Sequence, residues 1–311
     1  MRPILVIVGP TAVGKTDIAI AVAKEVDGEI ISADSMQIYK GLDIGTAKPT
    51  VDERQGIPHH MIDVITPDQE FSVADYQANV EEILKELNRQ NKTPILTGGT
   101  GLYIRAVLEG FVFYPKGRDE SLRLKLQKIA ESEGNIALHR QLGKVDPDTA
   151  KRLHPNDQRR VIRALEVYHS TGQPLSRHLE VQEQQPPRFP STKFGLLRHR
   201  QRLYERINSR VDLMMEKGLL DEVRRLLDHG LDNSATAMQA LGYKEVVGHL
   251  QGEYGLEEAI RLIKRDTRRY AKRQLTWFRR DRNIMWLDLD HLSKEDAVQK
   301  IASSYWRNLE L

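Results

Sequence analysis

The sequence has 311 residues and a formal net charge of +3, with 40% hydrophobic residues, 29% charged residues and no cysteine. This composition predicts a soluble globular protein of one large or two smaller domains, and it excludes disulfides, thiol catalysis and cysteine-type zinc sites. No apolar run approaches the ~18 residues of a membrane span, and an apolar segment begins directly after Pro3. We therefore expect no membrane helix, no signal peptide and a cytoplasmic location. Residues 1–110 are net acidic and residues 111–311 net basic, so the second part is the candidate surface for a polyanion.

The first motif lies between an apolar run and an amphipathic segment and reads Gly9-Pro10-Thr11-Ala12-Val13-Gly14-Lys15-Thr16. This is the spacing of a phosphate-binding loop between a strand and a helix. Glycines allow the backbone to curl so that its N–H groups converge on an anion, and the helix N-terminus adds its dipole. Lys15 supplies a positive charge, and the hydroxyl of Thr16 suits a magnesium ion (Mg2+). The motif predicts binding of phosphate or diphosphate without specifying the reaction.

The next apolar run, residues 28–33, has the pattern of a second buried strand and ends at Asp34. Alternating strands and helices at this spacing predict a parallel α/β sheet with ligands beyond the carboxyl ends of its strands. Asp34 would lie at such an end as a magnesium ligand or a general base, with a helix cap or turn as the alternative. The adjacent His59 and His60 do not predict a metal site, because neighbouring side chains point in different directions and no third ligand is evident.

Residues 71–89 have helical periodicity, and residues 94–97 form the next predicted strand. This strand stops at Gly98-Gly99-Thr100-Gly101. Glycines at a strand end let a ligand approach the backbone closely, and we favour this interpretation over a tight packing turn.

From about residue 115 to residue 183 the sequence has helical periodicity and no convincing strand. The clearest helix follows Asn156 and Asp157, either of which could cap it, and ends near Gly172. Its first turns carry a basic cluster of Arg159, Arg160 and Arg163. Such a cluster is either a solvated face or a surface for phosphate contacts.

A strand at 194–197 is predicted to resume the sheet after a proline-rich connector at 184–190, and residues 203–227 have the pattern of one helix. Near its start, three arginines recur at every fourth position: Arg202, Arg206 and Arg210. They share one face, from which an arginine beside a phosphate loop can reach a leaving diphosphate.

Residues 240–245 form a short glycine-containing junction, and residues 256–282 include the most basic stretch of the chain. Three aromatic residues are interleaved with its charges: Tyr270, Trp277 and Phe278. We expect these rings to belong to the core and the cationic face to be a candidate surface for a nucleic-acid backbone. A last strand at 284–288 and a closing helix at 294–308 are predicted.

The motifs stand in the order GPTAVGKT, ISADSMQIYKGLDIGTAKP, IPHHMIDV, GGTGLYIRAVLEG, HPNDQRRVIRALEVY, RINSRVDLM, LGYKE and RRYAKRQLTWFRR. In this combination the chain resembles the tRNA dimethylallyltransferase (tRNA isopentenyltransferase) family across nearly its whole length. The resemblance implies an α/β fold, a P-loop NTPase-like parallel sheet core flanked by helices, formed by residues 1–114 and 191–311. It further implies an all-helical insertion domain at 115–190 that contacts tRNA. Eukaryotic members can carry a cysteine-containing zinc finger, so this cysteine-free chain resembles the bacterial type.

The resemblance implies transfer of a dimethylallyl group from dimethylallyl diphosphate to N6 of the adenine that follows the anticodon of tRNA on its 3′ side. It also implies Mg2+ as the cofactor, with Thr16 as its protein ligand, and the anticodon stem-loop as the bound part of tRNA. Asp34 matches the catalytic base of the family, and Arg210 matches its diphosphate-binding arginine, with Arg206 ranked second. We expect a monomer.

Further site residues follow from the matching motifs. Catalysis is assigned to Asp34, Arg210, Lys15 and Thr16. Diphosphate binding is assigned to Arg210 and to the loop Gly9, Pro10, Thr11, Ala12, Val13, Gly14, Lys15 and Thr16. Contacts with tRNA are assigned to Asp34, Ser35, Met36, Gln37, Thr100, Arg123, Gln158, Arg159, Arg160, Val161, Ile162, Gln239, Gly242 and Lys244.

Three alternatives stay open. A P-loop kinase acting on a small molecule would use ATP as donor and the helical insertion as a lid. An RNA-binding ATPase switch would hydrolyse ATP without alkylation. A closer variant would alkylate a free adenine nucleotide, against which the large basic insertion argues.

Overall fold

The structure, a computed structural model, describes residues 2–113 and 119–309. Its chain divides into two compact units, the first formed by Met1–Leu108 with Phe189–Leu311 and the second by Glu109–Arg188. The first is termed the larger unit and the second the helical unit. The predicted domain boundary at 114–115 lies outside the described residues, and the predicted extent of the insertion stays a prediction.

Within the described residues, the larger unit contains one six-stranded sheet. Its strands are β1 Ile4–Val8, β2 Gly28–Ala33, β3 His59–His60, β4 Thr93–Gly98, β5 Ser191–Leu197 and β6 Ile284–Asp288. Their order across the sheet is β3-β2-β4-β1-β5-β6, and every neighbouring pair is parallel. The predicted parallel α/β class is confirmed. The edge strand β3 was not predicted, because two residues are too short to show a periodicity of two.

Helices cover both faces of this sheet. Their bounds are α1 Lys15–Glu25, α2 Val73–Arg89, α3 Gly101–Glu109, α9 Arg200–Glu216, α10 Leu219–Asp228, α11 Tyr243–Leu250, α12 Leu256–Phe278 and α13 Lys294–Leu309. The central strand β1 is buried along its whole length. Its Leu5 and Ile7 pack into the core beneath α1 and α13, while Ile4, Val6 and Val8 pack beneath α2 and α3. This alternation is the two-sided burial expected of a strand in a covered parallel sheet.

The single helix predicted over 203–227 is wrong, because the structure has α9 and α10 there with a break between them. Gly218 stands at the break with a φ of +92°, a left-handed conformation that only glycine adopts without strain. Part of the predicted junction at 240–245 is also helical, since α11 begins at Tyr243.

The helical unit has helices and no strand among its described residues. These are α4 Glu120–Glu133, α5 Asn135–Val145, α6 Pro147–Arg152, α7 Gln158–Thr171 and α8 Leu175–Glu183. Leu126, Leu138, Leu142, Val161 and Leu165 form its core. Over both units, no helix within the described residues is long and apolar enough to cross a lipid bilayer.

Asp146 joins two helices of the helical unit. Its Oδ1 accepts a hydrogen bond from the amide of Thr149 at 3.0 Å, and its Oδ2 accepts one from the amide of Ser176 at 3.0 Å. Burial alone would raise the pKa of this carboxyl, but the hydrogen bonds from Thr149 and Ser176 outweigh it and hold the pKa below its ordinary value. The ionised form is therefore the one that the fold stabilises.

We predict that Asp146→Ala lowers the free energy of unfolding by about 1–3 kcal/mol, because two amide groups lose their acceptor. Urea unfolding at neutral pH measures this, with Asp148→Ala as control, since the Asp148 side chain is 70% exposed. Because the pKa is lower in the folded state, the stabilisation is complete at neutral pH and disappears as the pH falls below about 4. Equal stability of the two variants would contradict this role.

Candidate active site

The phosphate loop connects β1 to α1 and curls tightly. Gly9 has a φ of +154°, and a side chain there would meet the carbonyl oxygen of Leu196 at 2.7 Å, so only glycine fits. Gly14 has a φ of +110° and leads into α1, whose first amides have no acceptor within the helix. The ammonium of Lys15 folds over the loop and donates to the carbonyls of Gly9 at 3.0 Å and Pro10 at 2.9 Å. The result is a cradle of N–H groups and one cation that suits an anion.

The other strands of the sheet bring further polar groups to the same edge, because all the strands are parallel. Asp34 follows β2, and its Oδ1 accepts a hydrogen bond from the amide of Met36 at 2.9 Å. Thr100 follows β4, and its hydroxyl accepts one from the amide of Ser35 at 3.2 Å. Arg210 lies on α9, the helix after β5. Residues distant in sequence therefore meet beyond the carboxyl ends of the strands.

Two cavities open at this edge. The smaller has a volume of about 140 Å³ and is lined by Gly14, Lys15, Thr16 and Asp17, among others. The larger has a volume of about 330 Å³, and its wall includes the apolar side chains of Ile207, Val211, Met214 and Ile263. Both cavities share Thr11, Asp34, Thr46, Ala47, Arg210 and Tyr270 in their linings. An anion cradle thus adjoins a larger space of mixed polarity, with a carboxylate and an arginine common to both.

Three charged groups of these cavities, Lys15, Asp34 and Arg210, have shifted pKa values. Removal from water, assisted by the charge of Arg210 and opposed by Asp34, lowers the pKa of Lys15 to about 8. Burial raises the pKa of Asp34, although the amide of Met36 and the charge of Lys15 oppose this shift. Burial and the nearby Arg206 lower the pKa of Arg210. The cleft therefore holds more positive charge than it can solvate, which favours a bound anion.

The arginines of α9 have different surroundings. The Nε of Arg206 donates to the carbonyl of Ala12 at 2.8 Å and braces the phosphate loop from outside. Arg202 forms an ion pair with Asp290 at 3.4 Å. Arg210 lines both cavities. Of the three, Arg210 has the position best suited to a ligand that occupies the loop.

Most of the residues predicted to contact tRNA in the larger unit lie around the cavities. Ser35, Met36, Gln239, Gly242 and Lys244 line the larger one. Thr100 supports Ser35 from behind.

Gln37 lines the smaller cavity rather than the larger one. Its amide is engaged by the protein itself, since it accepts from the hydroxyl of Ser32 at 3.0 Å and donates to the carbonyl of Thr46 at 3.3 Å.

The predicted tRNA-contacting residues of the helical unit divide into exposed and buried ones. Arg159 and Arg160 are exposed on α7, and Gln158 is half-buried. Val161 and Ile162 are 0% and 5% exposed and pack into the core, so we leave their side chains out of any proposed interface.

Arg123 has a partner of its own within the helical unit. Its guanidinium makes two bonds to the carboxylate of Glu166, at 2.7 and 3.0 Å. Its predicted contact with tRNA stays a prediction.

The sequence matches the family model described as IPP transferase over residues 37–281. The chain belongs to the IPP transferase family. This confirms the family expected from its motifs.

Individual proteins with related sequences match this chain along nearly its whole length. The tRNA dimethylallyltransferase of Halothermothrix orenii is 57% identical over 305 residues, covering 97% of this chain and 93% of that protein. That of Carboxydothermus hydrogenoformans is 53% identical over 298 residues, covering 96% of each. The full-length tRNA isopentenylpyrophosphate transferase of Bacillus halodurans has a similar structure, with a TM-score of 0.74, 42% identity and coverage of 100% of both chains. A eukaryotic dimethylallyltransferase acting on tRNA has a TM-score of 0.82 at 31% identity, covering 99% of this chain and 80% of that one.

Tyr270 and Gln274 are among the site residues that were not predicted as such. Tyr270 was expected in the core with Trp277 and Phe278, but it lines both cavities, and only Phe278 is fully buried. Gln274, one turn further along α12, accepts from the amide of Thr11 at 2.9 Å and donates to the carbonyl of Gly99 at 3.1 Å. It joins the phosphate loop to the glycine loop after β4. Their spacing of four on one helix was the available signal.

We predict that the affinity for inorganic diphosphate falls as the pH rises above about 8. The charged form of Lys15 binds the anion, and its pKa of about 8 in the free protein means that binding must take up a proton above that pH. Calorimetric titration between pH 7 and 9.5 measures the fall, and Lys15→Met, which has no proton to lose, serves as the control. Parallel pH profiles for the two proteins would contradict the assignment.

Proposed function

We propose that this member of the IPP transferase family transfers a dimethylallyl group from dimethylallyl diphosphate to N6 of the adenine that follows the anticodon of tRNA on its 3′ side, and releases diphosphate. The names of relatives at 57% and 53% identity support a tRNA dimethylallyltransferase. The fold shared with a eukaryotic dimethylallyltransferase acting on tRNA supports the same acceptor.

One observation carries the proposal: Asp34 and Arg210 line both the anion cradle and the larger cavity beside it. A diphosphate on Lys15 would direct its prenyl chain toward the shared wall. An adenine entering the larger cavity would bring its amino group to the same wall from the other side. Asp34, whose carboxylate lines both cavities, would then lie beside the adenine amino group that releases a proton.

The reaction forms one bond and breaks one. The lone pair of adenine N6 attacks the allylic carbon, and the bond from that carbon to the diphosphate oxygen breaks. The nitrogen then carries a surplus proton, which Asp34 accepts. Because burial raises the pKa of Asp34, its carboxylate is a stronger base than an exposed aspartate.

The adenine amine is a weak nucleophile, so the transition state needs a well-stabilised leaving group. Lys15, Arg210 and the first amides of α1 supply preorganised positive charge to the departing diphosphate. Removing one such donor typically costs on the order of 10²–10³ in rate.

The donor set fits a magnesium ion (Mg2+). Thr16 and Asp17 offer oxygen atoms in the smaller cavity, while no cluster of three or more metal-binding side chains occurs among residues 2–113 and 119–309. Few protein ligands suit an ion that takes most of its oxygens from diphosphate and water. When bound, the ion would neutralise charge on the diphosphate, and Thr16 is the proposed protein ligand.

Each unit by itself offers cations for the tRNA backbone. In the larger unit, α12 and the residues after it expose Lys272, Arg279, Arg280 and Arg282. In the helical unit, Arg159 and Arg160 are exposed at the start of α7. Such cations bind phosphates without regard to base sequence, so the cavity would provide the selection for adenine.

The rival functions have less support. A kinase or an ATP-driven switch explains the phosphate loop, but neither explains relatives that are named tRNA dimethylallyltransferase and match along nearly the whole chain. An acceptor that is a free nucleotide would not require the exposed basic residues of either unit. The cytoplasmic location and the monomeric state stay predictions.

The proposed reaction is tested by mixing the protein, magnesium chloride, dimethylallyl diphosphate and unmodified tRNA, and weighing the digested nucleosides by mass spectrometry. We expect one adenosine per tRNA to gain the mass of a dimethylallyl group less the one hydrogen that it replaces. Phosphoryl transfer or hydrolysis of ATP without alkylation would support a rival function instead.

We predict that Asp34→Asn lowers kcat for transfer by about 10²–10⁴, because the amide cannot accept the proton. The variant keeps the size of the side chain and the acceptor for the Met36 amide. Its dissociation constant for tRNA, measured by filter binding, should stay within about threefold of the original. Loss of binding in proportion to the loss of rate would remove the role of base.

A comparison of two arginines tests the diphosphate site. Arg210→Gln should lower kcat/KM for dimethylallyl diphosphate by about 10²–10³. With the donor at saturation, the KM for tRNA should stay the same, so that kcat/KM for tRNA falls only because kcat falls. Arg206→Gln should have a smaller effect, since Arg206 contacts the loop carbonyl of Ala12 rather than the cavity. An equal effect of the two substitutions would contradict the assignment.

The helical surface is tested by salt dependence. Arg159→Gln with Arg160→Gln should reduce the slope of log K for tRNA against log salt by about 1–2, the loss expected for one or two phosphate contacts. Lys151→Gln is the control, because the Lys151 side chain is 79% exposed in the same unit. If the double variant keeps the original slope, these arginines form only a solvated face.

A further inference from the structure

Resting on the proposed function, we infer that Glu222 is a positioning residue that fixes one wall of the reaction cavity through the backbone of residues 43–45. It lies on α10 and is 3% exposed. It lines neither of the two cavities that Asp34 lines, so it acts through the loop rather than on the substrates.

Glu222 is the acceptor for three consecutive amides. Its Oε2 accepts from the amides of Asp43 at 3.1 Å and Ile44 at 2.9 Å, and its Oε1 accepts from that of Gly45 at 3.2 Å. The hydroxyl of Tyr243 donates to Oε1 at 2.6 Å. Successive amides that converge on one point form a cradle for an anion, and here a carboxylate of the protein occupies it.

The loop has little freedom around this anchor. A side chain at Gly45 would meet the Tyr243 ring at 2.4 Å, so the ring packs directly against the backbone. The hydroxyl of Thr46 donates to the carbonyl of Leu42 at 2.6 Å. After the loop, the ammonium of Lys48 donates a hydrogen bond to the carbonyl of Tyr39 at 2.9 Å and so connects the two sides of this segment.

The anchored loop continues directly into the reaction site. Thr46 and Ala47 line both cavities, and Gly45 lines the larger one. The side-chain amide of Gln37 donates to the carbonyl of Thr46 at 3.3 Å. A shift at residues 43–45 therefore moves the wall facing the two reacting groups.

A buried carboxylate fits three amides better than a neutral amide would. In Glu222→Gln, one of the two acceptor oxygens becomes an NH₂ group that faces N–H donors, so at least one amide loses its partner. When reacting groups must be aligned, a displacement of about 1 Å can lower the rate by as much as about 10²-fold.

A displaced wall also has a chemical consequence. Water reaching the allylic carbon would form a carbon–oxygen bond as the bond to diphosphate breaks, and the water proton would be released to solvent or Asp34. The products are dimethylallyl alcohol and diphosphate. The ratio of diphosphate released to adenine alkylated therefore reports on the position of the wall and is independent of how much of the protein is active.

The test compares Glu222→Gln with Asp221→Asn, which removes the same charge from the adjacent residue. The Asp221 side chain is 66% exposed and pairs with Arg224, away from the loop. Both variants are incubated with magnesium, dimethylallyl diphosphate and unmodified tRNA, and diphosphate and modified adenosine are measured. Hydrogen–deuterium exchange of residues 42–48 is recorded in parallel.

In Glu222→Gln we expect kcat to fall about 10- to 100-fold, the product ratio to rise well above one, and residues 42–48 to exchange faster. Asp221→Asn should leave all three unchanged. If Glu222→Gln does not fold, Tyr243→Phe, which removes only the hydroxyl bound to Oε1, should change them in the same direction by less.

A product ratio of one in the folded variants would overturn the inference, as would the same change in Asp221→Asn. If the original protein alkylates nothing, the proposed function fails instead. The exchange of residues 42–48 in that case still decides whether Glu222 holds the loop.

Discussion

The proposed site depends on positive charges that are concentrated in one cavity and buried away from bulk water. Lys15, Arg210 and the first amides of α1 converge on a cavity of about 140 Å³, and Asp34 lines the same cavity. The low pKa of Lys15, about 8, reflects the cost of this arrangement in the free protein. A bound diphosphate would relieve that cost. In the proposed reaction, removal from water would account both for tight binding of the leaving group and for the raised pKa of Asp34.

The parallel sheet makes this concentration possible. Because β1, β2, β4 and β5 all end at one edge, the segments that follow them meet there although they are far apart in the sequence. The contacts of Gln274 with Thr11 and Gly99 tie two of these loops together. Glu222 holds a third loop, residues 43–45, in a similar way, because its buried carboxylate accepts hydrogen bonds from amides that would otherwise be unpaired. Hydrogen bonds to helices of the larger unit therefore constrain the loops of the site.

The sequence predicted the parts of this account that local chemistry determines. The phosphate loop has a fixed spacing, and buried parallel strands are continuous apolar runs, so both were recognisable before the fold was known. The break between α9 and α10 at Gly218 was missed, because a glycine inside an amphipathic pattern does not by itself predict a left-handed backbone conformation. The position of Tyr270 at the cavities depends on which side of its helix meets its neighbours, which only tertiary packing decides.

The most direct measurement is a crystal structure with magnesium and a dimethylallyl diphosphate analogue whose bridging oxygen is replaced by sulfur. Our account predicts the diphosphate on the amides of Gly14 to Thr16 and on Arg210. It predicts that the prenyl chain points from the smaller cavity toward the wall shared by the two cavities, with its first carbon facing the side of Asp34. A prenyl chain that points away from Asp34, or a diphosphate outside the loop, would contradict the account.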